Sequence, residues 1–244
     1  KREILKYVTE SIQNLNVDSE WLCDLFSGTS IISASLKDEY NIHANDIQQY
    51  SAIFSNTYLL NLNRLIPPLQ IQEIEERVCF LVAEFKERYP QLEFDYTQIT
   101  NYKELQQLIS FDFGIGFNLF TKYYSGTYWS FEQCVWIDSI RATAEDYIGT
   151  PSYYAILSAL IFSMSYASQS TGHFAQYRDV TESNMNDILI YRHKNIWNLF
   201  SKKFEELIST LNIETNFEYK VTSLDYMDCL RVIEKNSIVY ADPP

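Results

Sequence analysis

Three acidic positions of this 244-residue chain, two of them close to glycine or proline, lie in patterns that can do chemistry. The first runs from Asp24, at the end of an apolar run, to a bend at Gly28. Glycine permits a tight turn and close ligand approach, and the start of a following helix offers unpaired backbone donors. The second is Asp46, which follows Asp24 at roughly the 20-residue offset at which a nucleotide-binding unit presents a carboxylate to ribose hydroxyls. Together they predict a site for a nucleotide-like ligand.

Both features also have an ordinary structural interpretation. Any strand-to-helix connection can use a glycine turn, and Asp46 can cap the helix that begins near Gln48. The capping and ribose roles of one carboxylate are compatible. A dinucleotide dehydrogenase is disfavoured, because the loop lacks the second and third glycines of G-x-G-x-x-G and no hydride-transfer histidine site is recognisable. The ligand is therefore expected to carry no phosphates.

The third stretch is Asp242-Pro243-Pro244, which follows a short apolar run. At average proline usage, chance gives such a tripeptide in a chain of this length only at the level of a few per cent. Open α/β sheets bind ligands at the carboxyl ends of their strands, so an acid in this position indicates a functional site. Because a sheet is not expected to stop at the tip of a strand, we expect further chain beyond Pro244.

The elements that must position these residues follow from hydrophobic spacing. The predicted order is a helix over 4–15, a strand over 21–26, a helix over 31–36, a strand over 41–46 and a helix over 50–60. Such an alternation favours parallel strands joined by helical crossovers. The predicted fold class is α/β, with a doubly wound, mostly parallel, Rossmann-like sheet.

A change of pattern between residues 61 and 216 predicts a largely helical insertion. Its predicted helices span 69–89, 132–146, 153–167 and 184–211, and an irregular aromatic-rich stretch spans 111–131. A strand, a helix and a second strand then return over 217–241. The predicted domains are therefore 1–60 as the first part of the catalytic domain, 61–216 as the insertion, and 217–244 as the continuation of the catalytic domain.

Composition limits the possible classes of function. The chain has 32 acidic and 19 basic residues and a formal charge of −13, which excludes a wholly basic nucleic-acid coat. No apolar run approaches the roughly 18–20 residues that cross a bilayer, so we expect a soluble, cytoplasmic protein without membrane association. The four cysteines, at 23, 79, 134 and 229, are widely scattered without a C-x-x-C pair. They predict reduced, mostly buried thiols and neither a zinc site nor a disulfide framework.

At these motifs the sequence resembles the DNA adenine methyltransferases whose cofactor motif precedes the catalytic motif. Residues 26–30 resemble the F-x-G-x-G loop, with Ser30 in place of the last glycine, and Asp242-Pro243-Pro244 resembles the catalytic Asp-Pro-Pro-Tyr or Asp-Pro-Pro-Phe motif without its aromatic residue. Lys1 resembles the end of a G-x-K element, and Asp225 resembles the acid that contacts the adenine of the cofactor. Residues 137–141 and 171–174 resemble segments of modification methylases that accompany type IIS restriction enzymes.

The resemblance implies S-adenosylmethionine as methyl donor, a flipped adenine of double-stranded DNA as acceptor, a cognate restriction system, and no metal. It implies catalytic roles for Asp242, Pro243 and Pro244. The implied cofactor residues are Lys1, Asp24, Phe26, Ser27, Gly28, Thr29, Ser30, Asp46, Ile47, Asp225 and Tyr226. The implied target-recognition region is the insertion, whose candidate DNA contacts are Lys122, Tyr124, Arg141, Arg178, Arg192 and Lys194, with Lys202 and Lys203 as further cations and Tyr123, Tyr128 and Trp129 as stacking groups.

Each candidate DNA contact has an alternative, because charged helix faces are usually only solvated and aromatic clusters are usually core. Two other functions also stay open. An RNA adenine methyltransferase uses a similar catalytic motif, and a noncatalytic DNA-binding subunit would retain the fold alone. The charge of −13 opposes phosphate binding, so a DNA enzyme needs a local basic patch or basic residues in the chain expected beyond Pro244.

Overall fold

The structure is a computed structural model that describes residues 4–15, 17–59, 71–90, 112–113, 116–170, 176–210 and 216–243. The chain divides into two compact units. Unit 1 comprises residues 1–66 and 210–244, and unit 2 comprises residues 67–209. The predictions for Lys1, Pro244 and residues 171–174 lie outside the described residues.

Unit 1 is built on a parallel sheet. Its strands within the described residues are β1 (Trp21–Asp24), β2 (Asn41–Asn45), β3 (Tyr219–Thr222) and β4 (Ile238–Tyr240). They lie in the order β3-β2-β1-β4, and every neighbouring pair is parallel. The predicted α/β class with a parallel sheet is therefore confirmed.

Helices cover both faces of this sheet. They are α1 (Leu5–Gln13), α2 (Ile31–Leu36), α3 (Gln49–Leu59) and, after β3, the helix numbered α10 in chain order (Tyr226–Val232). Successive strand residues point to opposite faces, so Leu22 packs with Ile32 and Leu36 on one side of β1. Cys23 packs with Cys229 of α10 on the other side.

The strand order creates a switch point at the carboxyl edge of the sheet. The chain passes from β1 to β2 and then to β3 in one direction, and it returns to the opposite side of β1 as β4. In open α/β sheets, ligands bind where the strand order reverses, outside the carboxyl ends of the strands. The ends of β1 and β4 are therefore the expected location of a ligand site.

Unit 2 is helical within its described residues. Its helices are α4 (Ile71–Arg88), α5 (Leu119–Tyr123), α6 (Phe131–Glu145), α7 (Pro151–Ala167), α8 (Met185–Arg192) and α9 (Ile196–Thr210). Helix α6 begins with a capping box, in which the Ser130 side chain accepts from the Gln133 backbone and the Gln133 side chain accepts from the Ser130 backbone. Most of its residues are buried, which makes α6 the central helix of this unit. No helix in the described parts of the chain is both long and apolar enough to cross a membrane.

The prediction of a single helix over 184–211 is wrong. Helix α8 ends at Arg192, and α9 begins at Ile196. The side chain of Asn195 accepts a hydrogen bond of 2.8 Å from the backbone of Asn198, which is the contact of an N-cap residue. Gln133 fixes the break from α6, because its amide donates to the carbonyls of Tyr191 and Lys194. Asparagine at an N-cap was the available sequence signal, but the continuous hydrophobic spacing concealed it.

Candidate active site

The turn after β1 is held open by its backbone conformation. Gly28 has φ of +53°, in the left-handed region that favours glycine, and nothing lies within 4 Å of the position that a Cβ would take. Its N–H donates to Asp46 Oδ2 at 2.9 Å, and the N–H of Ser27 donates to the Asn45 carbonyl at 2.8 Å. The turn is therefore tied to the end of β2 and leaves open space beside Gly28.

Ser30 occupies the position of the missing glycine. Its φ of +57° lies in the left-handed region that favours glycine. The side chain is buried, and its hydroxyl pairs with that of Ser55 in α3 instead of capping α2. The buried hydrogen bond partly compensates for the strain of a Cβ in this conformation.

Asp46 joins the glycine turn to the start of α3. Its Oδ1 accepts from the backbone of Gln48 at 2.9 Å, while its Oδ2 accepts from Gly28. The capping interpretation is therefore correct as geometry. A carboxylate has about four lone-pair directions, so two backbone donors leave acceptor capacity for the hydroxyls of a ligand.

Asn45 is a central positioning residue that the sequence analysis did not single out. Its buried amide donates to the carbonyls of Leu25 and Leu224 at 3.2 and 3.1 Å. Its Oδ1 accepts from Thr222 Oγ1 at 2.7 Å and from the Leu224 backbone at 3.0 Å. One side chain thus links the ends of β1, β2 and β3. Only the fold brings its partners together, so no local signal could have identified it.

His43 extends this network inside the sheet. Its Nε2 lies 2.9 Å from Thr222 Oγ1, and burial, aided by the charge of Lys220, lowers the pKa of His43 to about 4. The imidazole is therefore neutral near pH 7. Since the Thr222 hydroxyl donates its proton to Asn45, the Thr222 oxygen accepts from His43, which assigns the Nε2–H tautomer.

Two aromatic rings meet beside the turn. Phe26 follows β1 and Tyr226 begins α10, and their ring centroids are 5.9 Å apart. The neighbouring Asp225 is exposed and caps α10, because its side chain accepts from the Met227 backbone at 2.9 Å. Ile47 and Thr29 are exposed at the same edge. The fold therefore brings Phe26, Asp225 and Tyr226 to one sheet edge with Thr29 and Ile47, and their contact with a cofactor stays a prediction.

The Asp-Pro-Pro motif lies on the strand next to the glycine turn. Asp24 of β1 pairs with Tyr240 of β4, and the Leu25 N–H donates to the Tyr240 carbonyl at 2.9 Å. Two residues beyond this pair, the segment after β1 reaches Phe26 and the segment after β4 reaches Asp242. Asp242 is half-buried and Pro243 is exposed. Both predicted motifs therefore leave the same edge of the sheet from adjacent strands.

Asp24 has a different role from the predicted ligand contact. It is 1% exposed, and its Oδ2 accepts from the Ser33 hydroxyl of α2 at 2.7 Å. Ser27 is buried as well, beside Ser55. These side chains anchor the turn to the helices behind it and do not face a ligand.

In unit 2, several predicted DNA contacts are used inside the protein. Arg192 is 5% exposed and donates to Gln169 Oε1 at 2.5 Å and to the Gly126 carbonyl at 3.0 Å. Lys203 is buried between Glu206 and the Phe162 ring. Trp129 is buried and donates to the Met164 carbonyl at 3.0 Å. Such side chains stabilise the fold and are not accessible to DNA, so these three predictions are corrected.

The remaining candidates are more accessible. Arg141 is paired with Glu145 and lies over the Phe117 ring, and Arg178 is paired with Asp187. Lys194 donates to the Tyr166 carbonyl at 2.6 Å. The other candidates are described by their exposure to solvent: Lys122 is half-buried, and Tyr123, His193 and Lys202 are exposed. Tyr124 and Tyr128 are half-buried in an aromatic cluster.

The acid of the segment 137–141 also has a structural contact. Asp138 accepts from the backbones of Phe120 and Thr121 at 3.1 and 2.7 Å, which supports the first turn of α5. Burial raises the pKa of Asp138, although these hydrogen bonds oppose the shift.

Comparison with known proteins agrees with this architecture. The chain is similar to the modification methylase LlaI of Lactococcus lactis subsp. lactis, with 23% identity over 188 residues. The matched region is 75% of this chain but 27% of that protein, so the chain corresponds to about a quarter of the length of its relative. No solved structure matches the chain. A family model for D12 class N6 adenine-specific DNA methyltransferases matches residues 1–244. With the glycine turn and the Asp-Pro-Pro motif on neighbouring strands of a parallel sheet, the chain belongs to the D12 class of N6 adenine-specific DNA methyltransferases.

Proposed function

We propose that this chain carries the S-adenosylmethionine site and catalytic edge of a site-specific DNA adenine methyltransferase. The observation that supports this most is the placement of the glycine turn and of Asp242-Pro243 at the ends of β1 and β4, where the strand order reverses. The protein acts on double-stranded DNA in the bacterial cytoplasm, as the modification half of a restriction-modification system. Residues 61–216 serve as its target-recognition region.

The residues at the edge fit the methyl donor by their chemistry. Phe26 and Tyr226 offer two ring faces for an adenine, and the spare lone pairs of Asp46 accept from ribose hydroxyls. The open space beside Gly28 lets a ligand approach the backbone. When bound, S-adenosylmethionine supplies an electrophilic methyl group on a sulfonium.

The Asp-Pro-Pro motif prepares the acceptor. The amine of adenine is a poor nucleophile because its lone pair is delocalised into the ring. The Asp242 carboxylate and the Pro243 carbonyl each accept a hydrogen bond from the adenine amine. These bonds localise the lone pair on the amine nitrogen and orient that nitrogen for in-line attack on the methyl group. Proline fixes φ and contributes no N–H donor, so the carbonyls of this turn keep their direction. An adenine in duplex DNA must be flipped out to reach this site.

Methyl transfer by Asp242→Ala tests the catalytic role. In the full-length protein, transfer of tritiated methyl groups to duplex DNA should fall about 100-fold or more, because alanine removes the acceptor for one of the two hydrogens of the adenine amine. Binding of S-adenosylmethionine, measured by calorimetry, should stay unchanged. Asp228→Ala, at an exposed position of α10, is the matched control and should keep full activity.

Calorimetry on Asp46→Ala tests the cofactor site separately. We expect at least about tenfold weaker binding of S-adenosylmethionine, since the variant loses both the ligand acceptor and the tie to Gly28. Wild-type binding by Asp46→Ala would refute the assignment of the site.

Methyl transfer by the full-length wild-type protein separates the alternative functions. Transfer to RNA but not to duplex DNA would replace the DNA enzyme with an RNA adenine methyltransferase, and no transfer to either would favour a noncatalytic subunit.

A further inference from the structure

A buried cluster of two thiols and an imidazole lies inside the sheet of unit 1. Cys23 is in β1, His43 is its register partner in β2, and Cys229 is in α10. One ligand atom from each residue lies within 4.8 Å of the others, and the His43 Nε2 to Cys229 Sγ distance is 4.0 Å. All three side chains are buried, at 2% exposure or less.

The fold creates this cluster from residues that are far apart in the chain. Because Cys23 and His43 are paired across parallel strands, their side chains emerge on the same face of the sheet. Helix α10 covers that face and places Cys229 over them. Thiolate and imidazole are the ligands that structural zinc sites use, and zinc favours them over the oxygen ligands typical of magnesium or calcium.

We propose that Cys23, His43 and Cys229 form a buried site for a thiophilic divalent cation of the Zn²⁺ class. Zinc bonds of about 2.3 Å to sulfur and about 2.0 Å to nitrogen place the ligand atoms of a tetrahedron roughly 3.5 Å apart. The separations in the cluster, 4.0 Å between His43 Nε2 and Cys229 Sγ and at most 4.8 Å for the other pairs, exceed this by about 0.5 to 1.3 Å, a change that side-chain rotation can supply. The site supplies no group to the proposed methyl transfer and lies on the face of the sheet that α10 covers, where Thr222 connects it to Asn45.

The charge balance suits a buried location. On binding, each cysteine releases its proton to solvent, so two thiolates neutralise the dication and the imidazole stays neutral. The nearest cationic group that acts on His43 is Lys220, whose ammonium also donates to the Val232 carbonyl at 3.4 Å. The ammonium of Lys220 would repel an uncompensated cation at this site. It does not repel a complex in which two thiolates neutralise the dication.

Thr222 lies where a fourth donor is needed. Its Oγ1 is 2.9 Å from His43 Nε2 and donates to Asn45 at 2.7 Å. When Nε2 binds the metal, its proton moves to Nδ1, and the hydrogen bond from His43 to Thr222 is replaced by the metal bond. The Thr222 oxygen, or a water that it holds, then completes the tetrahedron, while its link to Asn45 is kept.

Metal analysis of the full-length protein, purified under reducing conditions, tests the site. We expect about one zinc per chain, as for structural zinc sites, and loss of this zinc in Cys23→Ser, Cys229→Ser and His43→Gln. The matched controls are Cys134→Ser, a fully buried cysteine of unit 2, and Cys79→Ser, an exposed one, which should both keep the metal. Cobalt in place of zinc should show thiolate-to-metal absorption that the Cys134→Ser variant retains and the Cys229→Ser variant loses.

Chelation keeps the proposal falsifiable if a variant fails to fold. Removal of the metal from the wild-type protein should lower its thermal midpoint, and added zinc should restore it. A folded wild-type protein without zinc that gives no cobalt–thiolate absorption would overturn the site. So would equal zinc loss in the Cys134→Ser control, or a disulfide between Cys23 and Cys229 in protein that takes up no metal.

Discussion

The side chain of Asn45 shows how one buried residue orders the edge on which the chemistry depends. It uses its amide and its oxygen in four hydrogen bonds that join the ends of three strands. Asp46, the next residue, holds the glycine turn from the same strand end. Any displacement of Asn45 therefore changes the position of Asp46 and of the Leu224 segment that precedes α10.

Asn45→Asp is predicted to destabilise unit 1. Aspartate keeps the acceptor for Thr222 but has no donors for the carbonyls of Leu25 and Leu224, and it places a buried charge against both. The free energy of unfolding in urea should fall by about 1–3 kcal/mol.

The matched control for this prediction is Asn41→Asp in the same strand. Asn41 accepts from the Glu218 backbone at 2.8 Å through its side-chain oxygen, a contact that aspartate can keep. This variant should stay within about 0.5 kcal/mol of the wild-type protein. Equal losses in the two variants would show that the donors of Asn45 do not matter.

At the scale of elements, the connection between β1 and α2 places a residue with a Cβ in a backbone conformation that favours glycine. Ser30 keeps a left-handed backbone at the position where the resembled loop has glycine. The cost of a Cβ in that conformation is about 1–2 kcal/mol, and a buried hydroxyl pair with Ser55 offsets part of it.

Two variants of Ser30 separate the cost of the Cβ from the value of the hydroxyl. Ser30→Gly and Ser30→Ala remove the same hydroxyl, but only alanine keeps a Cβ at the left-handed φ. The alanine variant should be less stable by about 1 kcal/mol in urea unfolding.

The same pair of substitutions at Ser35, an exposed residue within α2, should give the reverse order. A helical position favours alanine over glycine by about 1 kcal/mol. If the glycine and alanine variants had the same order of stability at positions 30 and 35, the backbone of Ser30 would not carry the strain assigned to it.

The elements could be predicted from sequence where one hydrophobic pattern decided them. Strand β1 and helix α6 follow from spacing alone, and so does the return of the βα pattern after residue 216. The break at Asn195 was missed because continuous hydrophobic spacing concealed its local N-cap signal, and the further contacts that stabilise it come from Gln133, more than 50 positions away. The roles of Asn45 and His43, and the cluster with Cys229, depend on strand pairing for the same reason.

At the scale of the whole molecule, the chain combines a formal charge of −13 with a family whose substrate is a polyanion. Nonspecific DNA affinity comes largely from phosphate neutralisation, so an acidic protein should bind with few ionic contacts and a shallow dependence on salt. Burial of Arg192 and Lys203 reduces the number of cations available to DNA further. For the proposed DNA substrate, this favours recognition through base contacts and DNA shape over general attraction to the backbone.

The salt dependence of DNA binding tests this balance and rests on the proposed DNA substrate. Lys122 and Lys202 are accessible cations of unit 2, so Lys122→Ala and Lys202→Ala should each lower the slope of log affinity against log salt by about 1, measured by anisotropy of a labelled duplex. Lys6→Ala, at an exposed lysine of α1 paired with Glu10, is the control and should leave the slope unchanged. Unchanged slopes in both unit 2 variants would remove these lysines from the interface, and an equal decrease in Lys6→Ala would indicate a diffuse charge effect instead of phosphate contacts.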